Sequence, residues 1–228
     1  MKLAVISDIH GNYLALEKVI SKIKLFNVDK ILFLGDSVGY LCYPNEVISL
    51  LIENNIQCIK GNHEQMLLGE LEYNKESEKI YQHRKTMRII TPSNLDYMSK
   101  WQTKLEFQFS KSKIMAVHGS PDDIFSGYIY PNSNLDLYSE LEIDILITGH
   151  THYPMIKKLN NKLFLNPGSI GLPRDNGEYS SFMILDLLKT QATIYRTQYD
   201  ISLLTKKCVP SETKLILNRR NKFLGTII

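Results

Sequence analysis

Apolar positions along the first sixty residues alternate between two periods. Residues 2–7 form a short apolar run. Leu16, Val19, Ile20 and Ile23 then recur at helical spacing behind Asn12, a residue whose side-chain oxygen can accept a backbone N–H at a helix start. A second apolar run spans 30–34. Pro44 or Asn45 opens another helical pattern, with Val47, Ile48, Leu51 and Ile52 directed inward and Asn54-Asn55 ending it, before a third run at 56–59. Strands separated by helices of this length predict a parallel sheet with right-handed crossovers.

Residues 64–112 follow neither pattern. No glycine falls between Glu70 and Ser112, charges of both signs are mixed, and Pro92 interrupts the stretch. It reads as two or three helices that interrupt the sheet. Two further strands are expected at 113–117 and 144–148, flanking a loop at 121–133 rich in Pro, Gly, Asp and Ser. After His152 the chain turns β-rich, with strands expected at 155–159, 162–165, 181–185 and 192–197 and hairpin turns at Asn160-Asn161 and 188–190. A second, partly antiparallel sheet packed on the first accounts for this. Residues 1–228 thus read as one domain, with a helical interruption at about 64–112 and a basic C-terminal tail at about 201–228.

Composition changes this picture little. The chain has 228 residues, 43% hydrophobic and 22% charged, with a mean hydropathy of −0.17, as expected of a globular protein with a sizeable core. No apolar run approaches the roughly 18–20 residues that span a bilayer, and residues 3–6 are too short for a signal-peptide core, so a cytoplasmic location is expected. Cys42, Cys58 and Cys208 are widely spaced and form no C-x-x-C motif, which predicts buried free thiols. The net charge of +3 is too weak to argue for nucleic acid by itself. Positions 206–222 do carry six Lys/Arg against one Glu. A solvated tail is the plainer reading, while a nuclease or nucleic-acid phosphatase stays open as an alternative without direct support.

The chemistry lies just beyond the end of each apolar strand. The first runs into Asp8-Ile9-His10-Gly11, the second into Gly35-Asp36, the third past Lys60 into Gly61-Asn62-His63-Glu64. The strand at 113–117 runs into His118-Gly119, and that at 144–148 into Gly149-His150-Thr151-His152. Sites in open α/β sheets form beyond the carboxyl ends of the strands, so neighbouring parallel strands would bring these side chains to one edge. Two carboxylates, an amide oxygen and four imidazoles exceed what one four-coordinate ion needs. They suit two borderline divalent cations, with Asp36 able to bridge through its two oxygens. Each dipeptide alone is ordinary, and a single His near a strand end is more often a core residue than a ligand. Five of the six histidines occupy such positions, and the coincidence carries the argument.

The set Asp8-x-His10, Gly35-Asp36, Gly61-Asn62-His63-Glu64, His118-Gly119 and Gly149-His150-x-His152 resembles the calcineurin-like metallophosphoesterases from Lys2 to about Leu187. The run Asn166-Pro167-Gly168-Ser169-Ile170-Gly171, with Pro173-Arg174-Asp175 behind it, is similar to a bacterial and archaeal branch of YfcE-type phosphodiesterases and diadenosine-tetraphosphatase-like proteins. The resemblance implies an α/β fold, a four-layer α-β-β-α sandwich of two mixed β-sheets flanked by helices. It implies that Asp8, His10 and His152 hold one metal, Asn62, His118 and His150 a second, and that Asp36 bridges. His63 would lie beside the metals without binding them and act as the catalytic group at the leaving oxygen.

The resemblance also departs from the protein serine/threonine phosphatases. These carry Gly-Asp-x-Val-Asp-Arg-Gly, whereas Gly35-Asp36-Ser37-Val38-Gly39-Tyr40-Leu41 has neither the second Asp nor the Arg. That removes a phosphate-binding Arg and the Asp that would orient His63, with Arg174 a candidate substitute cation. The implied activity is hydrolysis of a phosphodiester on a small, nucleotide-like molecule, by in-line attack of a hydroxide held between two divalent ions such as manganese, iron, nickel or zinc. A phosphomonoesterase and a non-catalytic metal-binding scaffold are the alternatives. Tyr40, Tyr43, Tyr128 and Tyr130 lie where they could stack on a nucleobase, although packing is the plainer role. His83 stands outside every motif.

Overall fold

The computed structural model describes residues 1–204 and 209–228. Its elements begin β1 (Lys2–Ile6), α1 (Tyr13–Ile23), β2 (Lys30–Phe33), α2 (Pro44–Glu53) and β3 (Gln57–Cys58). Asn12 caps α1 by accepting from the Ala15 N–H, and Leu16, Val19, Ile20 and Ile23 are buried along one face. Each such aliphatic burial stabilises by about 1.5–3 kcal/mol. In α2, Val47, Ile48 and Leu51 are buried, but Ile52 is on the outer side and 43% exposed.

Residues 62–99 then form α3 (Asn62–Leu67), α4 (Glu78–Tyr81), α5 (His83–Ile89) and α6 (Pro92–Ser99). Pro92 begins α6, at the position where its missing N–H costs nothing, with Thr91 as cap. The helical interruption ends there. Residues 104–109, expected to be helical, are the strand β4 (Lys104–Phe109), paired antiparallel with β5 (Ser112–Val117). Leu105, Phe107 and Phe109 alternate as a strand requires, a period-two signal hidden among mixed charges.

The remaining strands are β6 (Ile145–Ile147), β7 (Met155–Leu159), β8 (Lys162–Asn166), β9 (Tyr179–Asp186), β10 (Gln191–Gln198) and β11 (Thr226–Ile227), with α7 (Ser211–Leu217) before the last. They make two mixed sheets. One is six-stranded, ordered β11-β10-β9-β1-β2-β3, and the other five-stranded, ordered β4-β5-β6-β8-β7. Within the first, β1, β2 and β3 are parallel and joined through α1 and α2. Within the second, β5, β6 and β8 are parallel. Side-chain alternation sorts the core. Leu3 and Val5 join Ile114, Ile145, Ile147 and Leu165 between the sheets, while Ala4 and Ile6 face α1 and α2 with Leu16, Val19 and Ile48. The outer face of the second sheet is covered by Ile129, Leu135 and Tyr138, the last in a 3₁₀ turn at Asp136–Tyr138.

The five site-bearing strands are therefore not neighbours in one sheet: three lie in the first and two in the second. The sheets face each other, so the carboxyl ends of both meet at one edge. The C-terminal stretch is more structured than a solvated tail, because Thr213, Ile216 and Leu217 of α7 are buried and β11 pairs with β10. Lys206, Lys207 and Cys208 lie outside the described residues. Cys58 is a buried free thiol, whereas Cys42 is disulfide-bonded and departs from the free-thiol expectation. Among the described residues no helix is long and apolar enough to cross a membrane.

Candidate metal centre

Each candidate ligand sits one to five residues past a strand end, Asn62 as the first residue of α3 and the others in the connecting turns. Asp8, His10, Asp36, His150 and His152 all have φ between 52° and 65°. Residues with a Cβ rarely adopt this left-handed region, which costs on the order of 1–3 kcal/mol at each position and persists only where the surroundings enforce it. Here backbone hydrogen bonds supply the enforcement. The N–H groups of Asp8 and His10 donate to the carbonyls of Gly35 and Asp36 at 3.0 and 2.9 Å, and that of Gly149 to His118 at 2.8 Å. The fully buried Glu64 carboxylate accepts from the N–H groups of Asp36 (2.8 Å), Ser37 (2.6 Å) and Gly61 (2.7 Å), and from the Ser37 hydroxyl (2.7 Å). Burial pushes its pKa up and these hydrogen bonds oppose the rise. Glu64 thus ties the Asp36 turn to the start of α3. Gly61 has no room for a side chain, since a Cβ there would lie 2.3 Å from Asp36 Oδ1.

The imidazoles are oriented from behind. Nδ1 of His10, His118 and His152 lies 3.2, 2.8 and 2.7 Å from the carbonyl oxygens of Val38, Leu34 and Leu172. A carbonyl only accepts, so in each ring Nδ1 carries the proton and Nε2 keeps its lone pair for the site. Those lone pairs converge. His10 Nε2 lies 3.1 Å from His152 Nε2, which is 3.3 Å from Asp8 Oδ1. His118 Nε2 lies 3.0 Å from Asn62 Oδ1, 3.1 Å from His150 Nδ1 and 3.3 Å from Asp36 Oδ2. Among the described residues, Asp8 Oδ1 and His150 Nε2 are buried without a hydrogen-bond donor to satisfy them.

The facing Nε2 atoms of His10 and His152 repel each other unless a positive charge lies between them. Burial holds the pKa of His10 and His152 well below the usual value, so a proton does not fill that gap. His118 differs: burial pulls its pKa down, but the Asp36 carboxylate outweighs this and raises it to about 9. Asp8 is pushed up to about 7 by burial first, with the Asp36 charge adding to the rise. Divalent cations fit this donor set. Asp8, His10 and His152 form one cluster and Asp36, His118 and His150 another, with donor atoms within 4.8 Å of one another in each. His10, Asp36 and His63 form a further cluster that links the two.

His63 is placed as closely as any ligand. Its backbone N–H donates to Asp36 Oδ1 at 2.9 Å, and its ring Nε2 lies 3.9 Å from Asp36 Oδ2. Tyr40 and Tyr81 pack on its ring, and Gly39 (φ 84°) passes so near that a Cβ would meet His63 Nδ1 at 2.4 Å. On the side where the resemblance leaves no aspartate, His83 Nε2 stands 3.1 Å from His63 Nδ1.

Above these groups is a cavity of about 340 Å³ with Asp36, Asn62, His63, His150 and His152 on its floor. Its walls are Tyr40, Tyr81, Tyr128, Tyr130 and Tyr153, with Arg174 and Arg219. A larger cavity beside α1, about 750 Å³, contains none of these candidate clusters. Arg174 thus lies at the pocket, its guanidinium 3.4 Å from the Tyr40 hydroxyl. Tyr43 does not, because it packs in the core near Tyr13. Arg219, Tyr81, Tyr153 and His83 had no motif to mark them. Only the folding back of α7 brings Arg219 in, where its Nη1 donates to the Arg174 carbonyl at 3.2 Å.

A family model described as a calcineurin-like phosphoesterase superfamily domain matches residues 1–190. The uncharacterized protein MJ0912 of Methanocaldococcus jannaschii is 31% identical over 98% of this chain and 95% of its own length. The phosphodiesterase YfcE of Escherichia coli K12 is 25% identical over 82% of this chain and 88% of its own. A metallophosphoesterase from Sphaerobacter thermophilus superposes with a TM-score of 0.80 at 25% identity, covering 95% of this chain and 98% of that one.

Proposed function

This chain belongs to the calcineurin-like phosphoesterase superfamily, and on that premise we propose that it is a phosphodiesterase for small, nucleotide-like substrates working with two divalent cations. As a member it is a metal-dependent phosphoesterase. The observation that carries the finer reading is the pair of buried acceptor clusters with Asp36 at their junction. In this reading Asp8, His10 and His152 hold one cation, Asn62, His118 and His150 the other, and Asp36 serves both. A nitrogen-and-oxygen donor set of this kind accepts manganese, iron, nickel or zinc. When bound, a pair of such cations supplies the Lewis acidity that makes water nucleophilic near neutral pH and offsets charge on phosphoryl oxygens.

The chain's own groups account for the rest. Buried Glu64 and the strained turns keep the donors in place before substrate arrives, so no reorganisation is needed in the transition state. His63 sits next to Asp36 on the pocket floor, where it meets the leaving oxygen and stabilises the charge that develops there, an effect typically worth about 10²–10⁴-fold. Arg174 and Arg219 give the pocket two cations for substrate anionic oxygens. Tyr128 and Tyr130 stack in parallel, with centroids 5.5 Å apart and an interplanar angle of 1°, and offer an aromatic wall to a base.

The test is hydrolysis of bis-p-nitrophenyl phosphate against p-nitrophenyl phosphate, with each divalent metal restored in turn to stripped protein. Metal-dependent turnover that favours the diester is expected. A preference for the monoester would make the protein a phosphatase, and inertness with every metal would leave it a binding scaffold.

A further inference from the structure

We propose that His83 is a positioning residue for His63: its Nε2–H donates to His63 Nδ1 and holds the ring as the tautomer whose Nε2–H faces the pocket. The inference rests on the reading of His63 as the group beside the leaving oxygen. Its geometry is independent of that reading. His83 opens α5 directly after Gln82, a left-handed residue (φ 54°) that ends α4 and breaks the helical path. The break turns the His83 side chain inward, where it is 4% exposed. Its ring stacks on His63 with centroids 5.0 Å apart and planes at 21°, and its Nε2 is 3.1 Å from His63 Nδ1. Among the described residues this is the only hydrogen bond made by the His63 ring. Tyr40 and Tyr81 confine the ring but do not set where its proton sits.

Two proton placements are available across this contact, and the surroundings separate them. Among the described residues, His83 Nδ1 is buried without a hydrogen-bond partner. If it carried the His83 proton, a buried N–H would be left without an acceptor, which folded proteins rarely tolerate. If Nε2 carries it, the orphan is only a lone pair. The other end of the contact agrees. His63 Nε2 looks toward Asp36 Oδ2 at 3.9 Å, in a site crowded with acceptors. An N–H directed there is attracted both to the carboxylate and to an oxygen gaining negative charge, whereas a bare nitrogen is repelled by both. A single donated hydrogen bond from His83 excludes the wrong form, as the missing aspartate would have excluded the other tautomer. His63 then acts as a neutral hydrogen-bond donor. Its N–H remains intact while the phosphorus–oxygen bond breaks, and the departing alkoxide takes its proton from solvent.

The experiment compares metal-reconstituted wild type with His63→Ala, His83→Ala, His83→Gln and the double alanine variant. The substrates are methyl phenyl phosphate and methyl p-nitrophenyl phosphate, which differ in how much help the leaving oxygen needs. We expect His83→Ala to lower kcat on the phenyl ester about tenfold with little change on the nitrophenyl ester or in KM. His83→Gln, which keeps an N–H to donate, should recover most of the loss. In the His63→Ala background, removing His83 should cost nothing further. Equal losses on both esters, or a separate loss without His63, would reduce His83 to packing and overturn the inference. If His63→Ala itself fails to distinguish the esters, the reading of His63 falls instead. In either event ¹H–¹⁵N spectra of the zinc-loaded wild type decide the tautomer directly. A proton on His63 Nδ1 defeats the proposal whatever the variants do.

Discussion

The floor of the pocket and its walls are built by opposite means. Floor residues follow strand ends, several in strained left-handed conformations, with Glu64 tying the Asp36 turn to the start of α3 through buried hydrogen bonds. Most wall residues come from loops and from the C-terminal segment, the exceptions being Tyr81 at the end of α4 and the buried Tyr40, itself left-handed (φ 61°) on the turn after β2. Tyr128 and Tyr130 are 55% and 38% exposed, and Arg219 lies beyond the 1–190 match to the superfamily. The difference teaches where precision is needed. Cation-binding atoms must be arranged before the reaction, and a rigid scaffold does this at the cost of strain. Recognition of the rest of a substrate tolerates adaptable surface groups, and these are what loop changes can alter without disturbing the chemistry.

The most severe way to break this comparison is at the floor. If Asp36 serves two cations as proposed, Asp36→Ala should abolish metal binding and lower turnover on the order of 10³-fold or more, the scale of losing several kcal/mol of charge stabilisation. Metal analysis of the purified variant checks this, and full occupancy would refute the bridging role. Next comes the joint between floor and wall. Arg196, fully buried, grips Asp175 with bonds of 3.1 and 2.8 Å, directly beside Arg174. Asp175→Ala strands that guanidinium and should destabilise the protein by about 3–5 kcal/mol in urea unfolding. A loss under about 1 kcal/mol would mean the wall is held by something else.

Wall substitutions should act more gently and leave metal content unchanged. Arg219→Ala removes a half-buried cation from the pocket, and kcat/KM on a dinucleotide should fall about tenfold, near 1.4 kcal/mol. Lys214→Ala, on the exposed side of α7, is the control and should have no effect. Tyr130→Ala should cost about 1 kcal/mol, roughly fivefold, on a substrate carrying a base and nothing on one without. If both substrates suffer equally, the tyrosine wall serves packing and not base recognition.

Much of this architecture is readable along the chain because the signals are local. The cap at Asn12, the buried face of α1, the strands β7 and β10 and the turn at Asn160-Asn161 each depend on a few adjacent residues. The candidate ligands are conspicuous because every one comes after an apolar strand. Other features carry no local mark. His83 and Arg219 belong to no motif, and β4 is obscured because its alternating Leu105, Phe107 and Phe109 are embedded in a charged stretch. Periodicity alone places Ile52 in the core, but α2 shows the sheet a narrower face than its apolar pattern suggests.

By itself the amino-acid order determined the repeating strand–turn–ligand unit and the kinds of donor at each turn, since these derive from short-range sterics and side-chain chemistry. It also placed seven candidate donors after these strands, more than one four-coordinate ion takes. Only the tertiary structure decided that the five units divide between two sheets and still converge, because strand partners are chosen by burial over the whole chain. Distances such as the 3.1 Å between the His10 and His152 nitrogens, or between those of His63 and His83, come from packing elements far apart in sequence. Proximity of that kind is a collective property of the folded core, with no counterpart in any local stretch of residues.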